Sequence, residues 1–209
     1  MKQLTFTFDV ISPYAWLAFE RLPQVLEGCS YSVEYRPVVF GALLKHHAHK
    51  GPAEIEPKRQ WTFRHVSWLA QQQGTVLQTP AQHPFNSLAL QRLIVAAGPN
   101  RRTVEAAFRH VWAGGGADAN DPARLAALRE TLALPREPDS EDVKAELRAH
   151  TEAAIADGVF GVPTVSCEGR HFWGLDALPM LRDALSGGAW FQGSAWDDEG
   201  APRPGLKRG

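Results

Sequence analysis

The sequence predicts an α/β fold in which a βαβ half and a ββα half flank a long helical insertion. Three observations predict it. The first forty-odd residues read as strand, helix and strand; residues 43–158 carry helical spacing and capping signals; β character then returns as a short hairpin followed by a helix.

Leu4, Phe6 and Phe8 alternate with Thr5, Thr7 and Asp9, which gives a first strand with one face favoured for burial. From Pro13 to Glu27 the apolar residues Tyr14, Leu17, Ala18, Leu22 and Val25 recur at helical spacing, with a bend expected at Pro23. Tyr31 to Val39 is rich in β-formers and ends beside a turn at Gly41. The two strands of this βαβ unit should run parallel.

The insertion holds helices over Pro57–Gln73 and Asn86–Ala97, and over Thr103–Trp112 with Thr103 as its cap. Asp121-Pro122 opens another helix, an Asp cap with Pro at the first helical position, and Ser140 opens one that stops at Gly158. Pro163–Cys167 and Arg170–Trp173 then form a hairpin around Glu168-Gly169, and Asp176–Leu185 is a closing helix. Helices placed between βαβ and ββα halves are how a thioredoxin-like sheet acquires a helical subdomain. The expected division is residues 1–42 with 159–193 as the discontinuous sheet domain, 43–158 as the helical insertion, and 194–209 as a loose tail.

Composition narrows the function. The chain has 209 residues, 44% hydrophobic and 22% charged, so it can bury a sizeable core. A formal net charge of −1 supplies no attraction to nucleic acid or to an anionic membrane. No window approaches the roughly 18 uninterrupted apolar residues of a membrane helix. The N-terminus alternates like a strand and has no signal-peptide core, which points to the cytoplasm. Cys29 and Cys167 stand far apart in neither a CxxC pair nor a metal-ligand spacing, and are expected as two buried thiols.

The stretch FDVISPYAWL places Ser12 between strand and helix. Ser12 is either a plain helix cap or a functional hydroxyl, and its position serves both. A hydroxyl and free N–H groups at the positive end of a helix form an anion site. A bound thiolate would gain about 1.5–3 kcal/mol from a charge-assisted hydrogen bond and about 0.3–1 kcal/mol from the helix end. That lowers a thiol pKa by on the order of one to two units, from a free value of about 8.5.

Four motifs in register, SPYAWLAFERLP, FGALLKHHAHKGP, HPFNSLALQRL and GVFGVPTVSCEGRHFWGLDAL, together resemble the 2-hydroxychromene-2-carboxylate isomerase family. That family is a relative of kappa-class glutathione transferases within the DsbA-like branch of the thioredoxin fold, and the resemblance spans residues 4–185. It implies a glutathione-dependent isomerase acting on an aromatic-derived acid in aromatic-compound catabolism, and a homodimer. A disulfide oxidoreductase of this fold carries Cys at both ends of a CxxC; here Ser12 and Ala15 occupy those places, so the reactive thiol must arrive with a ligand.

The resemblance implies that Ser12, Pro13 and Tyr14 meet glutathione, with Ser12 donating to its sulfur. It implies a cis Pro163 that leaves the Val162 backbone free to pair with the cysteinyl group, and Leu175 and Asp176 holding the γ-glutamyl end. Asp176 is also read as an N-cap of the last helix. In KHHAHK, Lys45 matches the family and would attract a carboxylate, while His49 stands where relatives usually have Asn. The same segment also reads as a solvated polar run, and two imidazoles without a carboxylate or Cys make a poor metal site, so no metal is expected. Asn86 is a helix cap or borders the substrate pocket. Trp61 keeps the aromatic of a KxxYxxxDxxRW-like pattern, but His65 and Trp68 replace its Asp and Arg. Two further readings stay open: conjugation of glutathione to an electrophile, and a peptide-binding module without redox chemistry.

Overall fold

The computed structural model describes residues 1–201 and 205. Strand β1 (Lys2–Phe8) lies at the centre of a four-stranded sheet of order β2-β1-β3-β4. It runs parallel to β2 (Tyr31–Pro37) and antiparallel to β3 (Thr164–Cys167), which pairs in turn with β4 (Arg170–Trp173). Helix α1 (Pro13–Val25) connects the first two strands. The parallel pair and the C-terminal hairpin are as the sequence predicts.

The helical segment comprises α2 (Phe40–His46), α3 (Glu56–Gln73), α4 (Leu88–Ala97), α5 (Arg101–Trp112), α6 (Pro122–Leu132) and α7 (Glu141–Ala156). The chain closes with α8 (Leu178–Leu185), α9 (Ala189–Gln192) and α10 (Ala195–Gly200). Among the described residues no helix is long and apolar enough to cross a membrane.

One aromatic core joins sheet and helices. Phe6 and Phe8 of β1, Trp16 and Phe19 of α1 and Phe108 of α5 are fully buried, and the Phe19 and Phe108 rings lie 5.3 Å apart. Burial of each such ring contributes about 1.5–3 kcal/mol. β1 is covered on both faces near its end: Thr7 and Asp9, on the alternate side, are as buried as Phe6 and Phe8. The alternation therefore misled about one-sided burial, because helices pack against the second face as well. The buried Gln91 amide of α4 donates to the carbonyls of Phe8 (3.2 Å) and Val38 (2.8 Å), satisfying acceptors where the ladder ends.

Several boundaries differ from expectation for identifiable reasons. Gly41 lies within α2 and makes no turn. α4 starts at Leu88: Asn86 accepts the Leu88 N–H, and the N-cap is Ser87, whose hydroxyl is engaged elsewhere. α5 starts at Arg101 because Asn100 is its cap, accepting from the N–H groups of Arg102 and Thr103, while Thr103 Oγ1 accepts the Asn100 N–H in return. Asp176 is not the cap of the last helix; it lies in a separate 3-10 turn, Leu175–Ala177, and Ala177 precedes α8. The start of the expected tail is helical: Trp196 of α10 packs against Phe172 (5.5 Å) and Phe191 (5.9 Å). Residues 202–204 and 206–209 of that tail lie outside the described residues. Cys167 is buried, but Cys29 is only partly so; neither forms a disulfide.

Candidate functional site

Ser12 is the N-cap of α1, with extended backbone (φ −88°, ψ 116°), and Pro13 occupies the first helical position, where a missing N–H leaves no bond unmade. Its Oγ accepts the Ala15 N–H (3.2 Å) and donates over a long 3.4 Å to the carbonyl of Val162. The fold thus joins two predicted elements 150 residues apart. Ser12 is 8% exposed and Val162 7%, so this contact lies at the edge of the interior.

The Val162-Pro163 bond is cis. Three features hold this loop. The Gly174 N–H donates to the Pro163 carbonyl (2.9 Å), and the Thr164 hydroxyl donates to the Gly161 carbonyl (2.8 Å). The indole of Trp173 covers Gly161 so closely that a Cβ there would sit 2.6 Å from its Nε1, which only glycine avoids. Val162 also packs with Val38, Leu43, Ala154 and Val159, tying the loop to α2 and α7.

Gly174 takes φ 95°, a conformation that favours glycine, and a Cβ on it would collide with the Asp176 carboxylate. The carboxylate is thereby folded back toward β4. It is close enough to Tyr14 to oppose ionisation of that phenol, whose pKa is raised by burial first and by the Asp176 charge second. The Tyr14 hydroxyl is hydrogen-bonded to His65 Nδ1 at 2.9 Å. His65 in turn lies between Trp61 (5.8 Å, 16°) and Trp68 (6.4 Å, 12°) in a stack along α3. Trp61 is 64% exposed and Trp68 56%.

Ser12, Pro13, Tyr14, Val162, Pro163, Leu175 and Asp176 therefore belong to one neighbourhood, and Trp61 reaches it through His65 and Tyr14. Lys45 and His49 do not share the contacts of Ser12: both are exposed, at the end of α2 and in the turn beyond it. Asn86 is exposed in the loop before α4 and accepts the Leu88 N–H. Among the described residues no group of three His, Cys, Asp or Glu side chains is arranged to hold a metal ion.

Sequence reasoning missed three polar groups beneath the junction. Asp9, His83 and Ser87 all bear on the segment leading into Ser12. A carboxylate ending the apolar run FTFDV was the available signal for Asp9. His83 and Ser87 lie some seventy residues downstream and carry no local signal.

Comparison with known proteins agrees with this architecture. A model of the DsbA-like thioredoxin domain matches residues 3–186. The chain is 28% identical over 192 residues to 2-hydroxychromene-2-carboxylate isomerase of Sphingobium xenophagum, covering 88% of this chain and 98% of that one. It is 26% identical over 207 residues to glutathione S-transferase kappa 2 of Caenorhabditis elegans, covering 88% and 92%. Both relatives are named as enzymes. In three dimensions it superposes on a 2-hydroxychromene-2-carboxylate isomerase structure with a TM-score of 0.79 at 23% identity, over 96% of this chain and 100% of that one. The family match over most of the chain and the shared architecture agree: the chain belongs to the DsbA-like thioredoxin domain family.

Proposed function

We propose that this protein is a glutathione-dependent isomerase of an aromatic-derived carboxylic acid. The observation that carries the proposal is the Ser12 hydroxyl at the N-terminus of α1, directed at Val162, in a segment with no cysteine at either end. The isomerase-named relatives support the reaction class.

The residues fit the tripeptide. Ser12 offers its hydroxyl to a sulfur where the helix end favours negative charge. On this reading the Val162 backbone, next to Ser12, receives the cysteinyl group, and Leu175 and Asp176 hold the γ-glutamyl end. Pro13 and Tyr14 complete the wall, and Lys45, His49, Asn86 and Trp61 are outer contacts for the carboxylates and the aromatic substrate. Glutathione, when bound, supplies the thiol that adds reversibly to a conjugated double bond and permits rotation or ring opening. Ser12 acts by holding the sulfur ionised, so that one hard step becomes two easier ones. Cytoplasmic residence and a homodimer belong to the same reading, the first supported by two cysteines left unpaired.

The test is a pH titration of thiolate absorbance with glutathione bound to wild type and to Ser12→Ala. Wild type should lower the thiol pKa by on the order of one to two units, and the variant should lose most of that effect. Identical values in the two proteins would remove Ser12 from the mechanism. The kappa-class relative supports a second reading, conjugation, which differs in that glutathione is consumed during turnover.

A further inference from the structure

Beneath the junction lies a carboxylate that the proposed reaction does not use. Asp9 follows β1 and is 1% exposed. Its Oδ1 accepts the Ile11 N–H (3.1 Å); its Oδ2 accepts the Phe40 N–H at the start of α2 (3.0 Å) and the Ser87 hydroxyl at the start of α4 (3.0 Å). Its backbone carbonyl accepts the Ser12 N–H (3.1 Å). On the other side of the same peptide, His83 Nε2 lies 2.9 Å from the Ile11 carbonyl. A carbonyl only accepts, so Nε2 carries the proton and Nδ1 of the neutral ring is bare. That Nδ1 is buried without a partner among the described residues, beside the rings of Phe63, Phe85 and Trp112. Trp112 Nε1 also donates to the Val10 carbonyl (2.8 Å). The peptide groups leading into Ser12 are thus held by the distant side chains of His83 and Trp112 and by Asp9, which is itself bonded to the starts of α2 and α4.

We propose that Asp9 and His83 are positioning residues for the Ser12 hydroxyl: ionised Asp9 fastens the Ile11 amide to the starts of α2 and α4, while neutral His83 fastens the Ile11 carbonyl. This inference rests on the role assigned to Ser12 above. The side-chain bonds of both groups go to residues outside β1 and α1, and burial works against the charge: desolvation raises the Asp9 pKa to about 6 despite three hydrogen bonds that lower it. Its contacts are two amides and a hydroxyl, with no charged group among them. Across the Ile11 peptide, burial lowers the His83 pKa, with Arg59 acting in the same direction and the Ile11 bond against it. All three donors find lone pairs when Asp9 is ionised. A proton taken up on acidification confronts those donors with a fourth, and the clasp on the Ile11 peptide loosens.

Two measurements test the proposal on the full chain. Amide NMR of the free protein should show Ile11, Ser12 and Phe40 titrating with one midpoint near pH 6, lost in Asp9→Asn and moved upward in Ser87→Ala. With glutathione bound, Asp9→Asn and His83→Phe should each reduce the thiolate fraction at neutral pH by about threefold or more. Affinity for S-methylglutathione, which presents no thiol, should stay within about twofold. A merely structural role would move both quantities together with thermal stability. An unchanged thiolate fraction in folded variants overturns the proposal, as does the absence of a shared amide titration. If wild type itself shows no bound thiolate, the glutathione reading fails, and the amide titration alone decides whether the clasp exists. Ser87→Ala, a milder change, serves if the other variants do not fold.

Discussion

The Ser12 junction and the end of α2 both carry residues that the family resemblance places around glutathione, yet they are held in opposite ways. At the junction, the peptide groups from Val10 to Ser12 are bonded to Trp112, Asp9 and His83, and Ser12 itself is 8% exposed. At the end of α2, Lys45 and His49 stand in solvent, and the ring contacts there run among His46, His47 and His49. A hydroxyl that must meet one sulfur atom needs a fixed origin, because misplacement by an ångström is costly in rate. A long cation that attracts a carboxylate acts through a field and tolerates motion. Under the proposed function, orientation would fall to the junction and attraction to the α2 end.

The comparison breaks most readily at Asp9. Its folded-state pKa of about 6 lies above the ordinary 3.8, so the folded protein holds the proton more tightly than the unfolded chain. The stability from this group is fully present below about pH 4 and is lost as pH rises through about 6, a change of about 3 kcal/mol. Urea denaturation of wild type and Asp9→Asn across that window should show this slope only in wild type. Burial lowers the pKa of His83, His110 and His150, which gives those groups the opposite sign. The difference between the two proteins isolates Asp9.

Next in size is Gly161→Val. Its Cβ would begin 2.6 Å from the Trp173 indole, so the loop that carries Val162 must shift. The expected loss is about 1–3 kcal/mol, read as a lower denaturation midpoint, together with weaker glutathione binding by calorimetry. Tyr14→Phe should be milder: it removes the hydroxyl hydrogen-bonded to His65, for about 1 kcal/mol, and should quench or shift the fluorescence of Trp61 and Trp68 stacked on that imidazole. At the bottom of the series, Lys45→Ala and His49→Ala should change stability by less than about 0.5 kcal/mol. Their effect should appear instead as a salt-dependent rise in KM for an anionic substrate. A stability loss at His49 as large as that at Gly161 would erase the distinction between the two regions.

Local signals in the sequence determined the elements around the site. The alternation of Leu4, Phe6 and Phe8, the Ser12-Pro13 start of α1, the Asp121-Pro122 start of α6 and the hairpin of β3 and β4 depend on neighbours a few residues apart, and each stands where its pattern places it. Ser12 and the Val162-Pro163 turn were both legible in this way, the second with the help of the family resemblance. The family resemblance also implied that Ser12 and Val162 face each other, as they do; only the tertiary structure decided that Asp9 is buried beneath Ser12, that His83 grips its preceding carbonyl, and that Tyr14 is hydrogen-bonded to His65. The physical reason is range. Spacing and capping arise within a few residues, whereas a buried carboxylate or a bare imidazole nitrogen takes its character from chains that packing brings together. FTFDV places Asp9 on the polar side of an alternating strand; the helices packed against that side make it an interior group.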